Sequence, residues 1–253
     1  MPKPLPWLDP EVVEFPPVET ALPSPNGLLA AGGDLTPDWL LTAYRQGIFP
    51  WFDERQPILW WAPDPRLVLY PGQMHISRSL KRLARKTSYR ITADTSFAAV
   101  VDACAETTDL ARPGTWITRD MKAAFQILHE LGYAHSVEVW QDKDLVGGLY
   151  GLALGKVFFG ESMFSLEPNT SKLALWCLER QLAAWGYGLI DCQVSSRHLI
   201  SLGAETIPRR RFQELLTQML GDDGTNNADG SNNTGQWQLD VSLMFNENEP
   251  DTT

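Results

Sequence analysis

The chain has 253 residues, 43% of them apolar and 21% charged, a globular make-up long enough for one large domain or two smaller ones. No apolar run reaches about 18 residues, so no membrane-spanning helix is expected. The net charge of −10 argues against a nucleic-acid partner only until its distribution is read.

Seven acids (Asp222, Asp223, Asp229, Asp240, Glu247, Glu249, Asp251) and no Lys or Arg lie between Gly221 and Thr253. Between Arg66 and Arg90 the balance reverses, with seven bases and no acid. A local basic patch is therefore the better guide to partners. The Pro-rich start, Met1 to Pro6, lacks the apolar stretch of a secretory signal. Cys104, Cys177 and Cys192 form no CxxC pair and are odd in number, which predicts reduced thiols in a cytoplasmic protein, without zinc or disulfides.

In chain order, an irregular opening to about Pro25 is followed by a helix with Thr36 as N-cap, Pro37 in its first turn and Gly47 just past its end. Ile48–Phe52 and Ile58–Trp61 read as aromatic strands. Pro63, Pro65 and Pro71 then punctuate the chain, which puts a domain boundary near residue 66. Ser77–Lys86 reads as a helix with Arg78, Lys81, Arg82, Arg85 and Lys86 on one stripe and Leu80, Leu83 and Ala84 nearly opposite. Such a stripe suits a solvated face. Five bases without an interleaved acid also suit contact with phosphates.

Asp120–Leu131 has helical spacing and Gly132 stops it. Ser136–Gln141, Leu145–Ala153 and Val157–Phe164 are three strands joined by short turns, an antiparallel meander. Asn169 opens a long helix to Trp185. A strand at Leu189–Val194, a short helix, a short strand around Thr206 and a helix to about Leu220 complete the body. This order predicts an α+β fold: a small N-terminal α+β domain (1–66), a larger domain with a mixed, largely antiparallel sheet (67–220), and an acidic, mostly disordered tail (221–253) with a short strand near Leu239–Phe245.

Three features could carry chemistry. In the strand Leu189–Val194, alternation places Asp191 and Gln193 on one face, roughly 6–7 Å apart at Cα, within reach of a carboxylate–amide hydrogen bond. That pair could fix the amide so that its oxygen accepts from an amine, or it could be the wet side of an ordinary strand. Glu161 shares a face with Val157, Phe159 and Met163, where a carboxylate needs a partner or a wet cleft. A salt bridge to Lys172 or an Arg is one outcome, and a site for a cationic substrate group is the other. Ten tryptophans, Trp51, Trp60 and Trp61 among them, offer core packing or stacking surfaces for a base. No GxxxxGK[ST] loop, HExxH helix or GxSxG elbow occurs, and the four histidines show no ligand spacing, so no metal or cofactor is expected.

Several stretches, taken together, resemble the bacterial leucyl/phenylalanyl-tRNA–protein transferase family. They are Pro25–Ala30, Gly32–Leu35, Gly47–Phe52, Trp60–Arg66, His75–Arg82, Gly114–Thr118, Gly160–Phe164 and Ile190–Gln193, and they run in family order from about residue 15 to residue 215. The resemblance implies a GNAT-like acyltransferase domain. It also implies a reaction in which the α-amino group of a protein beginning with Arg or Lys attacks the ester of Leu-tRNA or Phe-tRNA, marking that protein for degradation in the N-end rule pathway. It places Asp191, Gln193 and Glu161 at the reaction centre, Trp51 and Trp116 near the tRNA 3′ adenosine, and Arg78, Lys81, Arg82, Arg85 and Lys86 against the tRNA backbone.

The ester is already activated, which fits the absence of a nucleotide-binding motif. Asp191 would polarise Gln193, whose role is orientation and charge stabilisation, with proton loss to water or the ribose. An apolar pocket for the aminoacyl side chain would draw on Leu149, Phe158, Leu175, Leu178 and Ile190, with some Met transfer because apolar discrimination is only about 1–3 kcal/mol per methylene. The protein is expected to act as a monomer, with no membrane partner. Two rivals are an acetyl-CoA-dependent N-acetyltransferase, for which the [R/Q]xxGx[G/A] turn is missing, and a non-catalytic RNA-binding module built on the basic helix.

Overall fold

The computed structural model describes residues 4–86, 89–106, 116–220 and 235–245. The opening is mostly irregular, as its prolines dictate, with strand β1 (Trp7–Leu8) and one 3-10 turn at Val18–Thr20. Strand β2 (Leu28–Gly32), helix α1 (Pro37–Arg45), strand β3 (Phe49–Pro50) and strand β4 (Leu59–Trp61) follow. Thr36 occupies the N-cap position of α1 with Pro at its start, but its side chain makes no capping bond. The four strands form a small sheet in the order β1-β2-β4-β3.

The larger sheet begins at Arg66, the first residue of β5 (Arg66–Leu69). After it come α2 (Arg78–Lys86), β6 (Arg90–Ala93), α3 (Phe97–Glu106) and α4 (Arg119–Glu130). Next are β7 (Ala134–Gln141), β8 (Asp144–Leu154), β9 (Val157–Ser165) and α5 (Thr170–Ala184). The last elements of the body are β10 (Leu189–Gln193), α6 (Arg197–Ser201), β11 (Glu205–Ile207) and α7 (Arg209–Leu220). The order is β11-β5-β10-β9-β8-β7-β6, antiparallel throughout except for the parallel pair β9–β10. The expected meander is present. Two-residue turns close it, with Asp142 and Gly155 in left-handed backbone.

The sheet separates two apolar layers. Leu189, Phe159, Tyr150 and Val68 point into the first, which α1, α3, α4, α7 and the small sheet cover. Ile190, Phe158, Leu149 and Leu69 point into the second, covered by α5, with residues of α2, α6 and the segment 235–245 packed on it. Ser77 Oγ accepts from the Leu80 amide and starts α2, whose Leu80 is buried while Arg78, Arg82 and Arg85 are exposed and Lys81 is half-buried. Of Lys86 only the backbone is described.

The tail expectation needs two corrections. Residues 221–234 and 246–253 lie outside the described residues, whereas 235–245 is ordered against the body. The strand expected at Leu239–Phe245 is a 3-10 helix at Val241–Phe245, because this segment packs on α5 and pairs with no strand. Trp237 and Met244 are buried. The Trp237 amide donates to Asp94 Oδ2 at 2.8 Å, and the Trp237 ring stacks on His135 with centroids 3.8 Å apart.

Candidate active site

The site forms where the parallel strands part. The ladder between β9 and β10 runs from Val157–Leu189 to Phe159–Asp191 and ends there. Beyond it each strand is irregular. Opposite β8 the register shifts at Tyr150/Gly151, so that Glu161 is an extra residue and falls with Ser162 across from Tyr150. Gly151 permits this, because a Cβ there would run into the Phe159 carbonyl and the Phe158 ring. Opposite β5 the register shifts between Asp191 and Gln193, and Gln193 takes a left-handed backbone with φ of 62°.

Asp191 points into the first layer and is fully buried. Arg66, 1% exposed, binds it in two places: Nε donates to Oδ1 at 2.8 Å and Nη2 to Oδ2 at 2.7 Å. The guanidinium lies over the rings of Phe49, 4.9 Å to the centroid, and Phe212, 4.6 Å. The Gln193 amide N–H donates to the same Asp191 Oδ1 at 2.9 Å. The Gln193 side chain turns the other way, and its Nε2 donates to Glu161 Oε1 at 2.9 Å. Tyr44, carried in from α1, donates its hydroxyl to that Glu161 oxygen at 2.7 Å.

The expected bond between the Asp191 carboxylate and the Gln193 side-chain amide is therefore replaced. The left-handed turn leaves Asp191 only the backbone N–H and sends the amide to Glu161. Nor is Asp191 on a wet face, and Glu161 pairs with neither Lys172, which donates to Asn169 Oδ1, nor an Arg.

Burial pushes the half-buried Glu161 carboxyl up to about 7. The hydrogen bonds from Tyr44 and Gln193 pull it down, Asp191 pushes it up and Arg66 pulls it down. A carboxyl held there exchanges protons near neutrality. The same environment pushes the Tyr44 and Tyr150 hydroxyls well up, first through burial and then through the Glu161 charge, so both stay protonated. Burial likewise pushes the Cys104 thiol up to about 12, and Cys192 is raised too, so neither supplies a thiolate. Among the described residues no group of three His, Cys, Asp or Glu could hold a metal, and no helix is long and apolar enough to cross a membrane.

The other expected residues fall into three places. Leu149, Phe158, Leu175, Leu178 and Ile190 meet in the second layer, all buried, with half-buried Met163 and Cys192 packed beside them. Arg78, Lys81, Arg82 and Arg85 stand on α2. Trp51 is 37% exposed and tilts against Trp61, while Trp116 is half-buried against the first layer just ahead of α4. The residues before it, Gly114 and Thr115, lie outside the described residues.

Sequence reasoning missed Arg66 and Tyr44. Arg66 was visible as one base of the Arg66–Arg90 patch and as the end of the Trp60–Arg66 stretch, with no sign that it is buried and points away from solvent. Tyr44 gave no signal beyond its place on the apolar face of a helix.

The parallel strands of this α+β sheet thus fork around a half-buried carboxyl and an amide hydrogen-bonded to it. A family model described as "Leucyl/phenylalanyl-tRNA protein transferase" matches residues 68–217, and one for the N-terminal domain of the same proteins matches 33–64. The chain belongs to the leucyl/phenylalanyl-tRNA–protein transferase family and is an aminoacyltransferase. Curated relatives of that name include those of Cellvibrio japonicus, 58% identical over 84% of this chain and 90% of the relative, and Saccharophagus degradans, 54% identical over 85% and 88%. The relative from Aromatoleum aromaticum is 52% identical over 96% of this chain and 99% of its own. A GCN5-related N-acetyltransferase from Kribbella flavida is similar in structure at TM-score 0.36 and 14% identity, covering 68% of this chain and 61% of that one.

Proposed function

We propose that this enzyme moves Leu or Phe, and Met less readily, from aminoacyl-tRNA to the α-amino group of proteins beginning with Arg or Lys, and so marks them for degradation. The observation that carries this reading is the fork between β9 and β10. There Glu161 and Gln193 are joined by one hydrogen bond, with the second apolar layer on one side and Tyr44 on the other. The aminoacyl side chain enters the apolar layer past Met163 and Cys192, and its ester carbonyl stays at the fork.

A free α-amino group, with pKa of about 7.7–8.0, is partly neutral near pH 7. Its nitrogen bonds to the ester carbon, the bond to the ribose oxygen breaks, and the amine proton ends on that oxygen, directly or through water. Gln193 orients the amine. Its Nε2 is committed to Glu161, which leaves Oε1 to accept an amine N–H. Holding amine and ester together can lower the barrier by roughly 7–11 kcal/mol.

Glu161 reads the basic first residue of the acceptor. Asp191 is neutralised by Arg66, whereas Glu161 Oε2 has no hydrogen-bond partner among the described residues. The bases of α2 track the tRNA backbone, and Trp51 and Trp116 stack on its terminal adenosine. The test is transfer of labelled Leu from Leu-tRNA to a peptide starting with Arg, beside one starting with Glu. Equal transfer to both would remove the role given to Glu161. Val-tRNA or Ile-tRNA serving as well as Leu-tRNA would remove the shaped apolar pocket.

A further inference from the structure

We propose that Arg66 is a positioning residue of the transfer reaction, which through Asp191 holds Gln193 in the left-handed turn that delivers its amide to Glu161. The inference rests on the reading of Glu161 and Gln193 as the reaction centre. It assigns Asp191 the part of a strut, in place of a group acting on substrate.

Asp191 is sealed off from substrate by its own partners. Its side chain is 0% exposed, and both of its oxygens are occupied. Oδ2 takes one guanidinium N–H, and Oδ1 takes another together with the Gln193 amide. No oxygen of Asp191 is left to face an amine or an ester. A buried carboxylate without its cation would be strongly unfavourable, and so would the guanidinium without its anion.

What this pair controls is the backbone next to it. Gln193 holds a positive φ that a side-chain-bearing residue adopts only when its surroundings impose it. The hydrogen bond from its N–H to Asp191 Oδ1 constrains that turn, and Asp191 is in turn fixed by the two-point grip of Arg66. Arg66 is itself anchored from outside the fork, over Phe49 of β3 and Phe212 of α7. The small sheet and the last helix thus set the angle of an amide neither touches.

Substitutions separate a strut from a reacting charge. Asp191→Asn sets an amide N–H against an Arg66 donor, and Arg66→Met leaves a bare buried carboxylate. In the double variant no charge is left buried, while the side-chain oxygen of the introduced asparagine can still accept from the Gln193 amide. The experiment is steady-state transfer of labelled Leu to an Arg-initiated peptide by the full chain, with Leu-tRNA titrated and folding followed by thermal melts. Each single variant is expected to lose about 100-fold in kcat with KM for Leu-tRNA within about 3-fold, and the double variant, which keeps an acceptor for the Gln193 amide but not the grip, to recover to about 10-fold below the parent. A folded double variant as slow as the singles would show that the Asp191 charge itself acts in the reaction, and would overturn the proposal. Undiminished kcat in Arg66→Met would do the same.

Should these variants fail to fold, Arg66→Lys decides. It keeps the charge but not the two-point grip, and kcat is expected to fall about 10-fold with KM for tRNA unchanged. An unchanged kcat there overturns the proposal. Gln193→Ala and Glu161→Gln run in parallel. Full activity in both would sink the reading of the centre itself, whereas lost activity there with normal Arg66 variants would sink only the inference about Arg66.

Discussion

Glu161 concentrates the physical chemistry of the site in one carboxyl. Its pKa stands at about 7 against an ordinary 4.5, with burial as the main cause. The sign follows from linkage. An acid whose folded pKa is raised contributes its full stability below the unfolded value and loses it as pH rises from about 4.5 through 7. Glu161→Gln keeps an oxygen for Tyr44 and Gln193 but cannot ionise. The variant should therefore be more stable than the parent at pH 8, by about 1–2 kcal/mol, and the gap should close at pH 4. Thermal melts at the two pH values check this, and an equal gap at both would mean that Glu161 titrates as an ordinary carboxyl. At this scale the sequence was half legible. Strand alternation picked out Asp191, Gln193 and Glu161, but not which of them bond, because two bulges break the alternation that the reading relied on.

Among the elements, the fork depends on the bulge in β9 and that bulge depends on Gly151. A Cβ at this position meets the Phe159 backbone, which cannot yield as a flexible side chain would. Gly151→Ala is expected to destabilise the protein by about 1–3 kcal/mol and to cut transfer beyond what stability explains, since Glu161 would be re-aimed. Denaturant unfolding beside a transfer assay at low temperature tests both halves. Helix α2 makes a separate prediction. Replacing Lys81 and Arg82 by Ala should weaken tRNA binding and reduce the salt slope of log Kd by about 1 per lost contact. A fall in affinity with no change of slope would mean the helix does not meet phosphates. The element boundaries were legible because caps, two-residue turns and apolar spacing are local. Helix α3, an almost continuous apolar run from Phe97 to Ala105, was not, since its exposed side carries Ala98 and Ala99 and so reads much like its buried one.

Over the whole molecule, distant segments close on the larger sheet. Arg66 joins β5 to the small sheet and α7, Tyr44 reaches Glu161 from α1, and residues 235–245 pack over α5. Trp237 anchors that last segment through Asp94 and through ring contacts with His135, Phe158 and Trp185. Trp237→Ala is expected to cost about 3–5 kcal/mol. A loss below about 1 kcal/mol in chemical unfolding would show that the segment is an appendage. Phe158 also belongs to the proposed aminoacyl layer, so Trp237 of the segment expected to be mostly disordered packs beside it.

The amino-acid sequence determined the class of fold, the meander, the long helix, the basic stripe of α2 and the motifs that place the chain in its family. All of these are written in local spacing, which a chain carries before it folds. Tertiary structure alone decided that Arg66 is a buried partner and not a surface charge, that Gln193 faces Glu161, and that residues 235–245 pack on the body. Each of these depends on residues brought together from far apart in the chain, by a sheet that forks and helices that cover it, and no local pattern records such a meeting.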